Sequence, residues 1–249
     1  PAFDIPAACS FLGATPATQS VCVGSSPVYA VTIGTAFSGS VALAASGHPA
    51  GTTATFVPNP VTAPGSSNLT IGNTAGAAAG SYTISIVGTD ATQSSTTTVG
   101  LDLLNSAPNA PTLVSPPNGA SGVGTSAVLT WNSVPSAASY TVDVATDAGF
   151  TNIIYTNTVA GTTDTVGGLA ILTTYYWRVR ATNPCGTGVN SATFSFTTGQ
   201  QFCVTAPITI PSSGAASPYP SANTVSGIGT SVADVNVLLN GLSHTWPDD

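Results

Sequence analysis

Two histidines are the candidate general bases of this chain. His48 follows Gly47, and His244 lies near the C-terminus. Nucleophilic catalysis needs its base beside a Ser or Cys, and neither histidine belongs to a Gly-x-Ser-x-Gly turn or a comparable motif. We predict that His48 lies in a solvent-exposed loop and that His244 has a structural role. The sequence therefore predicts a chain that is not an enzyme.

Carboxylate chemistry would have to come from Asp alone, because the chain contains no Glu. Asp143 and Asp147 stand in the segment DVATDAGF, where an Asp typically accepts hydrogen bonds from turn backbone, so we predict turn capping. Asp248 and Asp249 could contribute oxygen ligands to a calcium ion, with a solvated tail as the favoured interpretation. We expect no cofactor, and calcium is the one ion that the sequence suggests.

The two arginines share one predicted strand face with an aromatic ring. In the run YYWRVR, Tyr176, Arg178 and Arg180 alternate with apolar residues and should point outward together. A cation beside an aromatic ring can stack against a sugar or a peptide. Surface arginine on a strand is the commoner explanation. This face is the candidate binding surface for a polysaccharide or a protein.

Four cysteines fall into two groups along the chain, Cys9 with Cys22 and Cys185 with Cys203. Four cysteines allow three pairings, among which sequence alone does not choose. We favour pairing within each group, because each group lies within one predicted module or at its edge. Neither group has Cys-x-x-Cys spacing and the chain has only two His, so a zinc site is not expected. Disulfides indicate an extracytoplasmic compartment.

Charge is nearly absent from this sequence. Charged residues make up 4% of the 249, there is no Lys or Met, and nine Asp against two Arg give a net charge of −7. Without a basic patch, nucleic acid and anionic lipid are not expected partners. The chain also lacks an apolar run of about 18 residues that would predict a membrane span. A neutral surface of Ser, Thr, Asn and Gly repels copies of itself only weakly.

The sequence predicts that the elements carrying these residues are β-strands throughout. Gly and Pro separate short runs in which apolar residues alternate with polar ones, the pattern of half-buried strands in an all-β sandwich. In the first half we expect the inward-facing side chains to be Tyr29, Val31, Ile33, Val41, Leu43, Leu69, Ile71, Tyr82, Ile84, Ile86, Val99, Leu101 and Leu103.

Two family resemblances follow from longer motifs. The run GHPAGTTATFVPNPVTAPGSSNLTIGNT, with AGSYTISIVGT after it, resembles the immunoglobulin-like module of many secreted bacterial proteases, and we assign it residues 1–104. After a Pro-rich linker at 105–108, the segments SAVLTWNSVPSAASYTVDVATDAGF and ILTTYYWRVRATNPCG resemble a fibronectin type III module at 109–198. That resemblance implies a core around Trp131 and Trp177, and a tyrosine corner at Tyr175.

The C-terminal segment 199–249 resembles the opening of a proprotein-convertase P domain. The resemblance rests on the Phe-Cys start, the Ile-Pro turn, the strand DVNV and the His-Thr-aromatic that follows it. A P domain is much longer, so we expect the chain to end inside this domain and to be part of a larger protein. Val235, Val237 and Leu239 alternate as a strand that either packs on its own chain or pairs with a neighbouring one.

Two functions remain open at this point. The order of modules resembles the C-terminal accessory region of a secreted bacterial protease, which implies a non-catalytic role in spacing, attachment or stabilisation. The alternative is a structural subunit of an extracellular filament or surface layer, in which edge strands or the C-terminal strand pair between chains. Both place the chain outside the cell, with the rest of a larger secreted protein or other copies of itself as partners.

Overall fold

The structure is a computed structural model that describes residues 11–200. In this part of the chain eighteen strands and one short 3-10 turn form two β-sandwiches, so the predicted all-β fold class is confirmed. The predictions for Cys9, Cys203, His244, the P-domain-like segment with its strand at Val235, Val237 and Leu239, and the calcium ligands Asp248 and Asp249 lie outside the described residues.

Nine strands build the first sandwich. They are β1 (Leu12–Thr15), β2 (Thr18–Cys22), β3 (Val28–Ile33), β4 (Ser40–Ser46), β5 (Thr53–Val57), β6 (Val61–Thr62), β7 (Gly65–Gly72), β8 (Gly80–Thr89) and β9 (Ser94–Leu104), with the 3-10 turn Thr74–Gly76 between β7 and β8.

The two sheets of this sandwich have the strand order of an immunoglobulin-like fold. One sheet runs β1-β3-β7-β5 and the other β2-β9-β8-β4-β6. The strand β1 pairs antiparallel with β3, whereas β2 crosses to the opposite sheet and pairs in parallel with β9. From β1 to β2 the chain therefore switches from one sheet to the other. The order β1-β3-β7-β5 corresponds to strands A-B-E-D of that fold, and the order β9-β8-β4 corresponds to strands G-F-C.

Alternation of apolar and polar residues places one face of each strand in this core. In β3, Tyr29, Val31 and Ile33 are buried and the residues between them are exposed. Tyr82 is only half-buried, because its ring lies at the margin of the core and its hydroxyl donates to the Ala78 carbonyl. Full burial of an aliphatic side chain stabilises a fold by about 1.5–3 kcal/mol, so these rows dominate the stability of the module.

Nine further strands build the second sandwich. They are β10 (Leu113–Ser115), β11 (Ala120–Val123), β12 (Ala127–Trp131), β13 (Ser139–Ala145), β14 (Ile153–Val159), β15 (Thr163–Val166), β16 (Thr174–Asn183), β17 (Gly186–Thr187) and β18 (Phe194–Thr198). One sheet runs β10-β12-β15, and the other runs β11-β18-β16-β13-β14 with β17 paired to the end of β16. A three-stranded sheet facing a larger one is the arrangement of a fibronectin type III-like sandwich.

Two tryptophans fill the core of this second sandwich. Trp177 is fully buried in β16, and Trp131 at the end of β12 packs against Tyr140 with ring centroids 5.7 Å apart. Tyr175 is buried two residues before Trp177, and its hydroxyl accepts a hydrogen bond of 3.0 Å from the backbone N–H of Ala170. This contact ties the β15–β16 loop to the core, as a tyrosine corner does.

None of the helical segments in residues 11–200 has the length and apolar character needed to cross a membrane.

Candidate functional site

Both arginines bind one buried carboxylate on the outer face of the second sandwich. Asp143 lies opposite Arg178 in the β13–β16 ladder, and its side chain is only 3% exposed. Arg178 Nε and Arg180 Nη1 donate to Asp143 Oδ2 at 3.1 and 2.5 Å. Thr156 on the neighbouring β14 donates to Asp143 Oδ1 at 2.8 Å. Three strands therefore meet at a single carboxylate.

The electrostatics of this cluster keep Asp143 ionised. Burial raises its pKa, but the hydrogen bonds from Thr156, Arg180 and Arg178, with the charge of Arg180, lower it below the ordinary value overall. Asp143 thus anchors the arginines instead of capping a turn, and the turn prediction for this residue is wrong. The reason is its place inside β13, where it points outward between the arginines.

The predicted binding face is therefore partly occupied by internal contacts. Tyr176, Arg178 and Arg180 are each half-exposed on the outer side of β16. Arg178 lies over the ring of Phe150, with its guanidinium carbon 3.9 Å from the ring centroid, a cation–π contact. The arginines hold the β13–β16 region together, and the binding of a sugar or a peptide here stays a prediction.

Turn capping is the role of two other carboxylates. Asp147 accepts hydrogen bonds from the backbone N–H groups of Gly149, Thr151 and Asn152 at 2.8–3.1 Å. These bonds lower the pKa of Asp147, because they favour the ionised form. Asp90 in the β8–β9 turn accepts hydrogen bonds from the backbone N–H of Ser38, in the loop between β3 and β4, and from those of Thr92 and Gln93, and these bonds lower its pKa. Asp147 caps its own turn, whereas Asp90 also joins the β8–β9 turn to the β3–β4 loop.

His48 contacts the loop in which it lies and is half-buried, not fully exposed as expected. Its Nδ1 lies 2.7 Å from Thr52 Oγ1, and the Thr52 hydroxyl donates to the Pro49 carbonyl at 2.6 Å. Since that bond uses the single hydroxyl proton, the ring must donate from Nδ1. The histidine therefore stabilises the turn between β4 and β5.

Within residues 11–200, no three His, Cys, Asp or Glu side chains come close enough together to hold a metal ion.

A disulfide joins the two sandwiches, and this overturns the expected cysteine pairing. Cys22 at the end of β2 is bonded to Cys185 in the turn between β16 and β17, with Cα atoms 4.8 Å apart. The separation along the sequence is 163 residues. Pairing of Cys9 with Cys22 and of Cys185 with Cys203 is therefore wrong. The folded modules bring together cysteines that are distant in sequence, and the spacing of the cysteines along the chain does not indicate this pairing.

Asn183 fastens the linker beside this disulfide. Its side-chain Nδ2 donates to the Ser106 carbonyl at 3.0 Å, and its Oδ1 accepts from the Cys185 backbone N–H at 2.8 Å. A few residues on, Gly188 lies so close to the linker that a Cβ there would be 2.1 Å from the Pro108 carbonyl oxygen. The linker is thus held by polar contact and by close packing as well as by the covalent bond.

An open cleft of about 780 Å³ lies at the same junction. Its polar wall includes Ser20, Asp102, Asn105 and Ser136, and Pro184 closes it next to the disulfide. The Asp102 carboxylate accepts hydrogen bonds from Ser81 at 2.6 Å and Ser20 at 3.3 Å, so strands of the first sandwich hold it in place. We call the disulfide, the linker contacts and this cleft the module junction.

Sequence reasoning missed Asn183 and the anchoring role of Asp143. A signal for Asp143 exists in the alternation of Tyr140, Val142 and Val144, which forces the Asp outward, but its partners are fixed only by the pairing of β13 with β16. No sequence signal distinguishes Asn183 from an ordinary turn residue.

No family model matches this sequence, and no curated protein matches it. Among solved structures, domains A168–A170 of titin share 16% identity over 74% of this chain and 62% of that chain, with a TM-score of 0.43. The FN1–FN3 domains of chicken CNTN1 share 15% over 75% and 64%, with a TM-score of 0.39. A Fn3-like protein from Clostridium thermocellum shares 29% over 39% and 95%, with a TM-score of 0.29. The chain spans less than two thirds of the titin and CNTN1 structures.

Proposed function

We propose that this chain is a non-catalytic extracellular spacer that forms the accessory region of a secreted bacterial protease. The observation that carries the proposal is the Cys22–Cys185 bond, which couples two sandwiches that would otherwise be joined by a short linker alone. A disulfide in this position suits an oxidising compartment, and disulfides rarely persist in the cytosol.

A fixed geometry between modules is what a spacer needs. Modules in one chain ordinarily move relative to each other unless their interface is large or otherwise restrained. Here the covalent bond, the Asn183–Ser106 hydrogen bond and the contact of Gly188 with Pro108 restrain the same short segment. The Asp, His and Arg side chains among the described residues are engaged in structural contacts, which accords with a role in positioning.

The resemblance of the sequence to protease accessory modules supplies the finer part of the proposal. In such proteins a catalytic domain precedes the modules, so this chain would set the distance and orientation between that domain and whatever the distal end contacts. The partners would be the rest of the secreted protein and a polysaccharide or protein surface, with Tyr176, Arg178 and Arg180 as the attachment face.

An immunoblot of secreted protein from the source organism tests this proposal. Antibodies raised against the chain should detect a species well above 24.4 kDa that comigrates with caseinolytic activity in a zymogram. A secreted species of 24.4 kDa without comigrating proteolytic activity would contradict the protease assignment.

A second function, that of a filament subunit, is favoured by the open edge at β14. Within the described part of the chain this strand pairs with β13 on one side and with no strand on the other. Its sequence IIYTNTV contains no charged residue or Pro, and it exposes Ile153 and Ile154 by 43% and 45%. Edge strands without such protection invite pairing with another chain.

Electron microscopy and light scattering of the full chain over a concentration series test the filament hypothesis. Assembly that grows with concentration should be reduced by I154K but not by V128K, which places the same charge on an exposed Val of the central strand β12. A monodisperse monomer at all concentrations would rule the hypothesis out.

A further inference from the structure

The disulfide closes a loop that contains almost the whole of both modules. Cys22 is the last residue of β2, and Cys185 follows β16, so the strands β3 to β16 lie inside the loop. Among the strands of residues 11–200, β1 and β2 precede the loop, and β17 and β18 follow it. Both tryptophans of the second core and the inward-facing rows of the first core are inside.

A chain with this connectivity has a short covalent route between its two ends. Tension that enters at residue 11 travels along the backbone to Cys22, crosses the sulfur–sulfur bond and leaves through Cys185 toward residue 200. The loop connects the same two cysteines in parallel, and it stays slack because the bond holds their Cα atoms 4.8 Å apart. Once the strands outside the loop have peeled from their partners β3, β9 and β16, residues 23–184 carry no load.

We propose that the Cys22–Cys185 bond makes this pair of modules a tension-bearing link, in which pulling force bypasses both hydrophobic cores. The proposal rests on the extracellular spacer function and adds a mechanical function to it. A spacer between a cell or substrate surface and a second body is loaded at its two ends, and this arrangement keeps the linker and both cores out of the load path.

The segments outside the loop determine how far the described part of the chain can extend under tension. Extended chain spans about 3.5 Å per residue, so the segments 11–22 and 185–200 can lengthen to about 100 Å in total. The loop of 163 residues would add about 570 Å if it were loaded. Under load β1, β2, β17 and β18 can peel from their sheets, and extension then stops at the covalent bond.

Single-molecule force spectroscopy of the full 249-residue chain, pulled from its two ends, tests the bypass. The chain carries the substitutions C9S and C203S, so that Cys22 and Cys185 are its two remaining cysteines. In the oxidised form we expect extension of the described part to end after about 100 Å, with no later unfolding step. In a reducing buffer the same chain should show two further steps and gain about 570 Å of contour length.

A matched variant with C22S and C185S added should behave like the reduced chain without any reductant. Reduction of the C9S/C203S chain after it has folded gives the same comparison if the quadruple variant does not fold. Core unfolding steps in the oxidised chain, or equal contour lengths in oxidising and reducing buffer, would overturn the bypass. Neither result would alter the immunoblot and zymogram, so failure of this mechanical function is separate from failure of the protease assignment.

Discussion

Replacing Asp143 with Asn removes the charge at the centre of the arginine cluster while keeping the size of the side chain. The carboxylate accepts three hydrogen bonds, two of them from guanidinium groups. Removing one partner of a buried ion pair costs about 3–5 kcal/mol. The arginine side chains are 24% and 30% exposed, so water can hydrate them after the change and reduce the cost. We expect D143N to lower the free energy of unfolding of the second sandwich by about 2 kcal/mol.

Tryptophan fluorescence during thermal unfolding measures this loss, because Trp131 and Trp177 both lie in the second core. For a sandwich of this size, 2 kcal/mol corresponds to a fall of about 10 °C in Tm. The control D147N removes the same charge from a solvent-exposed turn and should lower the Tm much less. A D143N variant within 2 °C of the wild type would refute the anchoring role of the carboxylate.

Three further perturbations have expected outcomes. Y175F removes the acceptor of the Ala170 N–H and should lower the unfolding free energy of the second sandwich by about 1–2 kcal/mol in urea titrations. N59A removes two 2.9 Å hydrogen bonds to the backbone of β4 and should lower the unfolding free energy of the first sandwich by a similar amount. The unfolding transition of the second sandwich should stay unchanged. The lowered pKa values of Asp143 and Asp147 mean that the folded state binds fewer protons than the unfolded state near pH 4, so the stabilisation by these carboxylates is complete above about pH 5 and is lost as the pH falls below about 4. Calorimetry should find equal Tm values at pH 7 and pH 5 and a lower Tm at pH 3. Equal Tm values at pH 5 and pH 3 would contradict this prediction.

Local patterning predicts the fold class of this protein because burial repeats with the period of a strand. The alternation in β3 and in β16 identifies the inward-facing residues from a few neighbours, and the structure buries those same side chains. Asn59 illustrates the limit of that signal. The sequence marks PNP as part of a family motif, but only the fold brings the Asn59 amide beside Leu43, where it hydrogen-bonds like a neighbouring strand.

The module junction could not be predicted because it depends on how the two modules dock. The entropy cost of closing a loop grows only with the logarithm of its length, so short separations between cysteines are favoured only weakly. Nearness in sequence is therefore a poor guide to pairing once folding has fixed the positions of the thiols. The cysteine pairing expected from spacing failed for this reason. The contact of Asp143 with the two arginines was missed for a related reason. The sequence of β13, which carries Asp143, does not indicate which strand will pair with it.

Tryptic digestion without reduction tests the covalent coupling of the modules most directly. The chain has two cleavage sites for trypsin, after Arg178 and Arg180, and both lie between Cys22 and Cys185. After alkylation of free thiols and unfolding in urea, digested C9S/C203S protein should stay as one linked species by mass spectrometry and should separate into fragments 1–178 and 181–249 only when reductant is added. Wild-type protein should give the same result. Separation of the wild-type fragments before reduction would mean that the cysteines pair within each group, and it would contradict the coupling on which the spacer and its mechanical function depend.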